Sequence, residues 1–184
     1  MKMTEKRLWQ AWELLRGGAY TRRELAKSLG VSQMTAGRLA DRLLGIGILS
    51  ERRQTGERGR PTGILFADPR WQYWILKMNG ARREAVLVSG SGEVLYRMDE
   101  PCEEGMEPWD GLSDFLGRLR TTRRLLRRLE EPRAIALVLM GSAVGMPLPQ
   151  GEINLVIEGE DRGNEEICGE LTRRILLGLE KTGW

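Results

Sequence analysis

Two short amphipathic segments in the N-terminal third of the chain are almost contiguous, and this spacing constrains the fold more than any other feature. The first segment begins with the capping-box pattern Thr21-Arg22-Arg23-Glu24 and ends at Gly30. Only Val31 and Ser32 separate it from the second segment, which ends at Gly47. The apolar positions at helical spacing are Leu25, Ala26 and Leu29 in the first segment, and Ala36, Leu39, Ala40 and Leu43 in the second. The pattern predicts two helices joined by a tight turn, with Ser32 as the N-cap of the second, which is the helix-turn-helix arrangement.

The segments on either side extend this pattern to a winged helix. An earlier helix is predicted from about Thr4 to Gly17-Gly18, because apolar residues recur there at helical spacing. Residues 48–53 and 62–67 are predicted to form two strands, and the loop between them, 54–61, is rich in glycine and arginine. A β-hairpin that directly follows the second helix of a helix-turn-helix is a wing.

The surface of this N-terminal region has the residue types that bind double-stranded DNA. Small and hydrogen-bonding side chains at the start of the second helix suit the major groove, where glutamine and arginine read base edges. The residues predicted to face bases are Gln33, Met34, Thr35, Gly37 and Arg38. The residues predicted to contact phosphates at helix N-termini are Thr21, Arg22, Arg23 and Ser32. Arg58 and Arg60, in the loop of the wing, are predicted to enter an A·T-rich minor groove. The competing interpretation is an αα-hairpin with a merely solvated face and a solvated basic turn.

Charge is distributed unevenly along the chain. The whole sequence of 184 residues has a net charge of +3. Residues 1–70 contain 14 basic and seven acidic residues, a net charge of +7, whereas residues 71–184 contain 15 basic and 19 acidic residues, a net charge of −4. A basic module on a mildly acidic remainder favours contact with a polyanion through the first part only. We therefore predict two domains, a DNA-binding domain at 1–70 and a dimerisation or sensing domain at 71–184.

The composition excludes several classes of site. Because the chain contains no histidine, it has neither a Ser-His-Asp or Cys-His nucleophile pair nor a histidine-ligated metal site. Cys102 and Cys168 are too few for a structural zinc cluster or a disulfide framework. The longest apolar run, 134–140, has seven residues, far fewer than the roughly 20 that span a bilayer. We expect a cytoplasmic protein without a membrane segment, a cofactor or a metal.

Residues 71–184 are predicted to form an α+β or α/β layer. A helix is expected at about 112–131, a central strand covered on both faces at 134–140, a further strand at 153–157 and a final helix at about 164–181. An acidic loop is expected at 99–111. Six arginines lie on the outer side of the first of these helices: Arg118, Arg120, Arg123, Arg124, Arg127 and Arg128. They form either a second DNA contact or a solvated face partly neutralised by the acidic loop, and the solvated face is favoured.

Four segments of the N-terminal region follow the order and spacing of the transcriptional repressors of the ROK family. They are Thr21-Arg22-Arg23-Glu24-Leu25-Ala26, Val31-Ser32-Gln33-Met34-Thr35, Leu43-Leu44-Gly45-Ile46-Gly47-Ile48-Leu49 and Gly59-Arg60-Pro61. The similarity continues through 74–81, 85–95 and 134–141. The resemblance implies a winged helix joined to a body of the actin-like ATPase (ribonuclease H-like) fold, of which this chain would hold the first half. Half of a two-lobed body would leave one face uncovered, so we expect a second copy of the chain to cover it; such a homodimer would present two recognition helices to palindromic DNA. A small-molecule effector of unidentified chemistry is a potential ligand of residues 71–184.

The chain departs from the kinase members of that family at the positions that bind nucleotide and sugar. Where their phosphate loop has an acidic residue and a threonine, this chain has Lys77 and Ala81. The family's zinc motif needs histidine and several cysteines, and the residues that hold the sugar have no counterpart. We therefore predict a sequence-specific DNA-binding transcriptional regulator, a dimeric repressor without catalytic activity. The alternatives are a protein-interaction or scaffold module and, less favoured, a small sugar kinase.

Overall fold

The computed structural model of the chain describes residues 3–54, 61–79, 81–102, 112–125, 133–141, 155–159 and 161–177. The chain divides into two compact units, of which the first consists of Met1–Trp71 and Arg173–Leu179 and the second of Gln72–Thr172 and Glu180–Trp184. Within the described residues the fold is of the mixed α+β class, with five helices and two sheets. No helix in this part of the chain is long and apolar enough to cross a membrane.

The first unit contains three helices, α1 (Met3–Arg16), α2 (Arg22–Leu29) and α3 (Gln33–Ile46). Each helix buries one apolar stripe, because apolar residues three or four positions apart fall on the same helical face. The buried members are Leu8, Ala11, Trp12 and Leu15 in α1, Leu25 and Ala26 in α2, and Ala36, Leu39, Ala40 and Leu43 in α3. The predicted stripes are confirmed, except that Leu29 is only half-buried.

Caps set the ends of α2 and α3. At the start of α2 the predicted capping box is present: the Thr21 hydroxyl accepts a hydrogen bond from the backbone N–H of Glu24, and the Glu24 carboxylate accepts one from the backbone N–H of Thr21. Gly30 ends α2 in the left-handed conformation at φ 61°, and Gly47 ends α3 in the same way at φ 86°. Any other side chain would be strained at these two positions, so the glycines fix where the helices stop.

An antiparallel three-stranded sheet in the order β1-β3-β2 completes the first unit. Its strands are β1 (Tyr20–Thr21), β2 (Leu49–Gln54) and β3 (Thr62–Ala67). The predicted pairing of 48–53 with 62–67 is confirmed, with β2 displaced by one residue. The two-residue β1 was not predicted, because so short a strand leaves no periodicity in the sequence.

The second unit is built on a five-stranded mixed sheet in the order β6-β5-β4-β7-β8. Its strands are β4 (Gln72–Met78), β5 (Arg82–Ser89), β6 (Val94–Pro101), β7 (Ala134–Leu139) and β8 (Leu155–Glu158). β4, β5 and β6 form an antiparallel meander, whereas β7 and β8 run parallel to β4. The predicted central strand is confirmed as β7, since all of its side chains are buried and it lies between two parallel neighbours.

Two helices pack on opposite faces of this sheet. α4 (Leu112–Leu125) packs Phe115 and Leu119 into a core that includes Trp74 of β4. α5 (Asn164–Leu176) lies on the other face, where the Thr172 hydroxyl is 2.6 Å from the hydroxyl of Tyr73, the residue before Trp74. The predicted helices are confirmed over these ranges, except that α5 ends at Leu176 and Leu177 already lies in a turn; the parts of the predictions at 126–131 and 178–181 lie outside the described residues.

The prediction of a loop from residue 99 onward was wrong at its start. Asp99 and Glu100 belong to β6, where Asp99 pairs with Arg82 and the Glu100 carboxylate lies 3.4 Å from the Arg83 guanidinium. Glu100 also pairs with Arg118 of α4. Carboxylates that find arginine partners across strands are well tolerated in an edge strand, which explains why acidic residues here extend the sheet.

Candidate nucleic-acid interface

The N-terminal turn of α3 is fixed by a cap that uses two of the predicted site residues. The Ser32 hydroxyl accepts a hydrogen bond from the backbone N–H of Thr35 at 3.2 Å, and the two hydroxyl oxygens are 3.0 Å apart. Ser32 is exposed and Thr35 is half-buried. The positive end of the helix dipole is therefore held in a defined geometry at the surface, where it favours an anionic or hydrogen-bonding partner.

Further residues predicted to face bases lie on the solvent side of α3. Gln33, Met34 and Arg38 are exposed, and Met34 leaves 66% of its surface accessible. None of these three side chains forms a hydrogen bond or ion pair with another residue that the structure describes. An amide, an apolar chain and a guanidinium on one side of a helix can contact three of the base edges in a major groove: that of adenine, the methyl group of thymine and that of guanine.

Gly37 lies on the same face of α3, and packing against the described part of the chain does not require a glycine there. A Cβ at this position would meet no described protein atom within 4 Å beyond its own turn of helix. A glycine in the middle of a helix costs about 0.5–1 kcal/mol of stability relative to alanine. The glycine therefore lowers helix stability at a position where no neighbour in the described part of the chain needs the space.

Arg22, predicted to contact phosphate, is held by two carboxylates. Its Nη2 donates a hydrogen bond to Oδ1 of Asp41 at 2.8 Å, and its Nη1 donates one to Oε1 of Glu51. The hydrogen bond to Asp41, joined by that to Glu51, raises the pKa of Arg22 above its ordinary value. Since Asp41 lies on α3 and Glu51 on β2, Arg22 ties the start of α2 to both of these elements.

Thr21 and Arg23, the other predicted phosphate contacts on α2, differ in how far they are engaged. The Thr21 hydroxyl donates to the Glu24 carboxylate at 2.9 Å in addition to its capping role. The hydrogen bonds from Thr21, that from its backbone first, lower the pKa of Glu24. Arg23 is exposed and pairs with no carboxylate in the described part of the chain. Of the two arginines that open α2, Arg23 is thus the one whose charge is open to a partner outside the unit.

The hairpin strands carry two arginines that sequence reasoning did not single out. Arg52 and Arg53 of β2 are exposed, and the Arg52 guanidinium lies 5.7 Å from the centre of the Phe66 ring, within cation–π distance. Their position as two consecutive arginines in the first predicted strand of the hairpin was the sequence signal that could have identified them. Arg58 and Arg60, predicted to enter the minor groove, lie outside the described residues.

Asp68 is a buried carboxylate at the base of the hairpin that the sequence analysis also missed. Its Oδ2 accepts a hydrogen bond from the Ser50 hydroxyl at 2.5 Å, and its two oxygens accept hydrogen bonds from the Arg70 guanidinium at 2.7 and 3.0 Å. These bonds, chiefly those from Arg70, lower the pKa of Asp68 to about 2. Asp68 therefore fastens the end of β3 to β2 just before the chain leaves the first unit.

In the second unit, the segment that resembles the start of a phosphate loop is occupied by internal contacts. The Lys77 Nζ lies 2.5 Å from Oδ1 of Asp161. The side-chain oxygen of Asn79 accepts hydrogen bonds from the backbone N–H groups of Ala81 and Arg82, at 3.0 and 2.7 Å. Two backbone N–H groups of this turn are therefore used in internal hydrogen bonds. Among the described residues, no group of three His, Cys, Asp or Glu side chains is arranged to hold a metal ion.

Comparison with known proteins finds a likeness in fold. No protein-family model and no curated protein matches the chain. A solved ROK-family transcriptional regulator, described as a homologue of the E. coli MLC protein, matches 76% of this chain with a TM-score of 0.56 and 20% sequence identity. The match covers 36% of that regulator, so the chain spans about a third of its length. At this level of identity the similarity is one of fold, and it agrees with the ROK-like fold expected from the sequence motifs.

Proposed function

We propose that this protein is a sequence-specific DNA-binding transcriptional regulator whose residues 1–70 form a winged helix-turn-helix. The observation that carries the proposal is the solvent face of α3. The capped first turn presents Gln33 and Met34, and the next turn presents Arg38 beside Gly37; none of these three side chains has a polar partner among the described residues. In this proposal α3 is the recognition helix and lies in the major groove.

In the proposed complex, each of these side chains contacts a different kind of group on the base pairs. Gln33 and Arg38 form hydrogen bonds with base edges, for which adenine and guanine are the best partners. Met34 packs against a thymine methyl group, which accounts for a large apolar side chain left 66% exposed. Gly37 lets the DNA approach the helix backbone, and Thr35 faces the groove from the first turn of α3, where its hydroxyl lies against that of Ser32.

Phosphates are proposed to meet the two helix N-termini and the hairpin. Ser32 and the first N–H groups of α3 face one phosphate, and the start of α2 with Arg23 faces another. Arg58 and Arg60 are proposed to enter the adjacent minor groove. The +7 charge of residues 1–70 supports this arrangement, because it supplies the cations whose binding to phosphate releases counterions.

Residues 71–184 are proposed to dimerise or to sense an effector. The fold likeness to a transcriptional regulator supports a regulatory role for the chain. Two copies related by a two-fold axis would present two α3 helices to half-sites roughly one helical turn, ~34 Å, apart. We propose on this basis a dimeric repressor, with a small molecule as the potential signal.

We propose no catalytic activity. A sugar kinase must hold the phosphates of ATP, whereas Lys77 is paired with Asp161 and the turn at Asn79 is closed by its own hydrogen bonds. The kinase alternative predicts ATP turnover by the purified chain in the presence of a sugar. Turnover above that of the buffer would favour it.

The test of the proposed function is a selection followed by a titration. The full chain is incubated with a pool of random duplexes, and the sequence it enriches (the enriched duplex) is compared with a scrambled duplex of the same composition by electrophoretic mobility shift. We expect the enriched duplex to bind at least ~10³-fold more tightly, with an affinity that falls as salt rises. Equal binding of both duplexes would refute sequence-specific recognition. Absent or salt-insensitive binding would favour a protein-interaction module instead.

A matched pair of variants locates the recognition surface. Arg38→Ala should weaken binding to the enriched duplex by about 1–3 kcal/mol, because a base contact is lost. Lys27→Ala removes a cation from an exposed position within α2 and should change binding to the enriched duplex far less. Equal effects of the two substitutions would argue against α3 as the reading helix.

A further inference from the structure

Three elements of the first unit meet at one guanidinium. Arg22, the first residue of α2, lies between Asp41 of α3 and Glu51 of β2, and these three residues form the Arg22 cluster. Asp41 follows Met34 by seven positions, so it shares the solvent face of α3 with the proposed base contacts. The cluster therefore joins the proposed recognition helix to the first strand of the hairpin.

Gly63 provides the space through which Glu51 reaches Arg22. Glu51 pairs with Leu65 across the hairpin, so Gly63 is its diagonal neighbour on the same face. A Cβ at Gly63 would lie 2.8 Å from Cδ of Glu51, closer than two non-bonded carbons can approach. Glycine weakens the interior of a strand, and here its missing side chain is what lets the Glu51 carboxylate lie against β3.

Stability alone gives a poor account of the Arg22 cluster. Ion pairs near the surface contribute little to folding, and the side chains of Asp41, Arg22 and Glu51 keep 67%, 36% and 30% of their surface accessible. The cluster also contains two carboxylates and one cation, a net negative charge beside a surface proposed to bind a polyanion. Carboxylates beside a DNA-binding surface weaken DNA binding by repulsion unless they also help to shape that surface.

We propose that Arg22 is a positioning residue: by bonding Asp41 and Glu51 at once, it holds the hairpin against α3 so that both contact the same stretch of DNA. The inference rests on the proposed DNA binding. The rival role is the direct phosphate contact that the sequence predicts for Arg22. The two roles predict opposite effects when Glu51 is neutralised, because a phosphate-binding Arg22 would gain from losing a competing carboxylate.

Two substitutions separate these roles without removing a cation. Glu51→Gln removes one carboxylate charge, and Gly63→Ala displaces the Glu51 carboxylate while every charge stays in place. In the full chain, positioning predicts that each weakens binding to the enriched duplex by about three- to tenfold, with no loss at the scrambled duplex. The double variant Arg22→Gln with Glu51→Gln should bind no more weakly than Arg22→Gln alone, since the two residues act as a unit.

Arg23→Gln is the matched control, because it removes one cation from the same turn of α2 without touching the cluster. It should weaken binding to both duplexes alike and lower the salt slope by about one unit. The proposal is overturned if Glu51→Gln or Gly63→Ala binds the enriched duplex as tightly as the wild type or more tightly. It is equally overturned if both duplexes lose the same affinity while the melting temperature drops, which is the result of a merely structural role. A failure of DNA binding itself would appear in the wild type, which would then prefer neither duplex.

Discussion

Replacing Gly37 by alanine should make the protein more stable and a poorer DNA binder, and both expectations come from the geometry of α3. Alanine is favoured over glycine in a helix interior by about 0.5–1 kcal/mol. The added methyl group would meet no described protein atom within 4 Å beyond its own turn of helix, so no clash offsets this gain. We therefore expect the free energy of unfolding to rise by about the same amount.

Binding to DNA should change in the opposite direction. If the major groove lies against α3 at Gly37, the new methyl group must occupy space that DNA atoms fill in the complex. Inserting a methyl group into a close-packed contact costs about 1–3 kcal/mol. The dissociation constant for the enriched duplex should accordingly increase by a factor of roughly 5 to 150.

Gly45 offers a control within the same helix. It lies about two turns after Gly37 and likewise has no described atom within 4 Å of where a Cβ would be. Gly45→Ala should therefore show a similar gain in urea denaturation and an unchanged affinity in mobility-shift titrations. If Gly37→Ala is stabilised and still binds the enriched duplex as tightly as the wild type, then close approach of DNA to α3 at Gly37 is refuted.

Three further experiments test other parts of the first unit. Asp68→Asn should lower the free energy of unfolding at pH 7 by about 2 kcal/mol, because the pKa of Asp68 is lowered from 3.8 to about 2 in the folded protein. The wild type exceeds the variant in free energy of unfolding above the unfolded-state pKa, and this difference shrinks as the pH falls toward 2. Urea titrations should therefore give a smaller difference at pH 3 than at pH 7; the same difference at both pH values would contradict the role of Asp68. Ser32→Ala removes the N-cap of α3 and should cost about 1 kcal/mol in the same assay, whereas Ser28→Ala, at an exposed position inside α2, should not; equal stability of Ser32→Ala and the wild type would exclude the cap. Thymines of the enriched duplex can be replaced one at a time by deoxyuridine, which lacks the methyl group. The replacement should weaken wild-type binding about fourfold at the base that Met34 contacts and should not change binding by Met34→Ala. Unchanged wild-type affinity at every position would rule out a thymine contact.

Features set by neighbouring residues could be predicted from the sequence. The capping box at Thr21 and the helix ends at Gly30 and Gly47 each involve residues within five positions of one another. Their hydrogen bonds form as soon as the local backbone is helical, and they leave a readable pattern. The bounds of α2 and α3 therefore follow from the sequence, as do the apolar stripes that these helices bury.

Contacts between distant parts of the chain could not be predicted in this way. Arg22 and Glu51 are 29 positions apart, and the sequence shows only an arginine at a helix start, which looks free to bind phosphate. Asp68 reads as an ordinary acidic residue in a turn, because Ser50, one of the partners that holds it, stands 18 positions earlier. Asp99 looks like part of an acidic loop until the sheet brings an arginine beside it. The roles of Arg22 and Asp99, and the contact of Asp68 with Ser50, are therefore assigned correctly only after the strand pairing is known, whereas the bonds of Asp68 with Arg70 join residues two positions apart.

The central claim is that the solvent face of α3 reads DNA sequence, and a comparison of selected sequences tests it most directly. The wild type and Gln33→Ala are each used to select from the same pool of random duplexes at the same salt concentration. We predict that both enrich the same site, except at one or two adjacent base pairs where the variant accepts any base. Identical base preferences at every position, or no enrichment by the wild type, would contradict a reading role for α3.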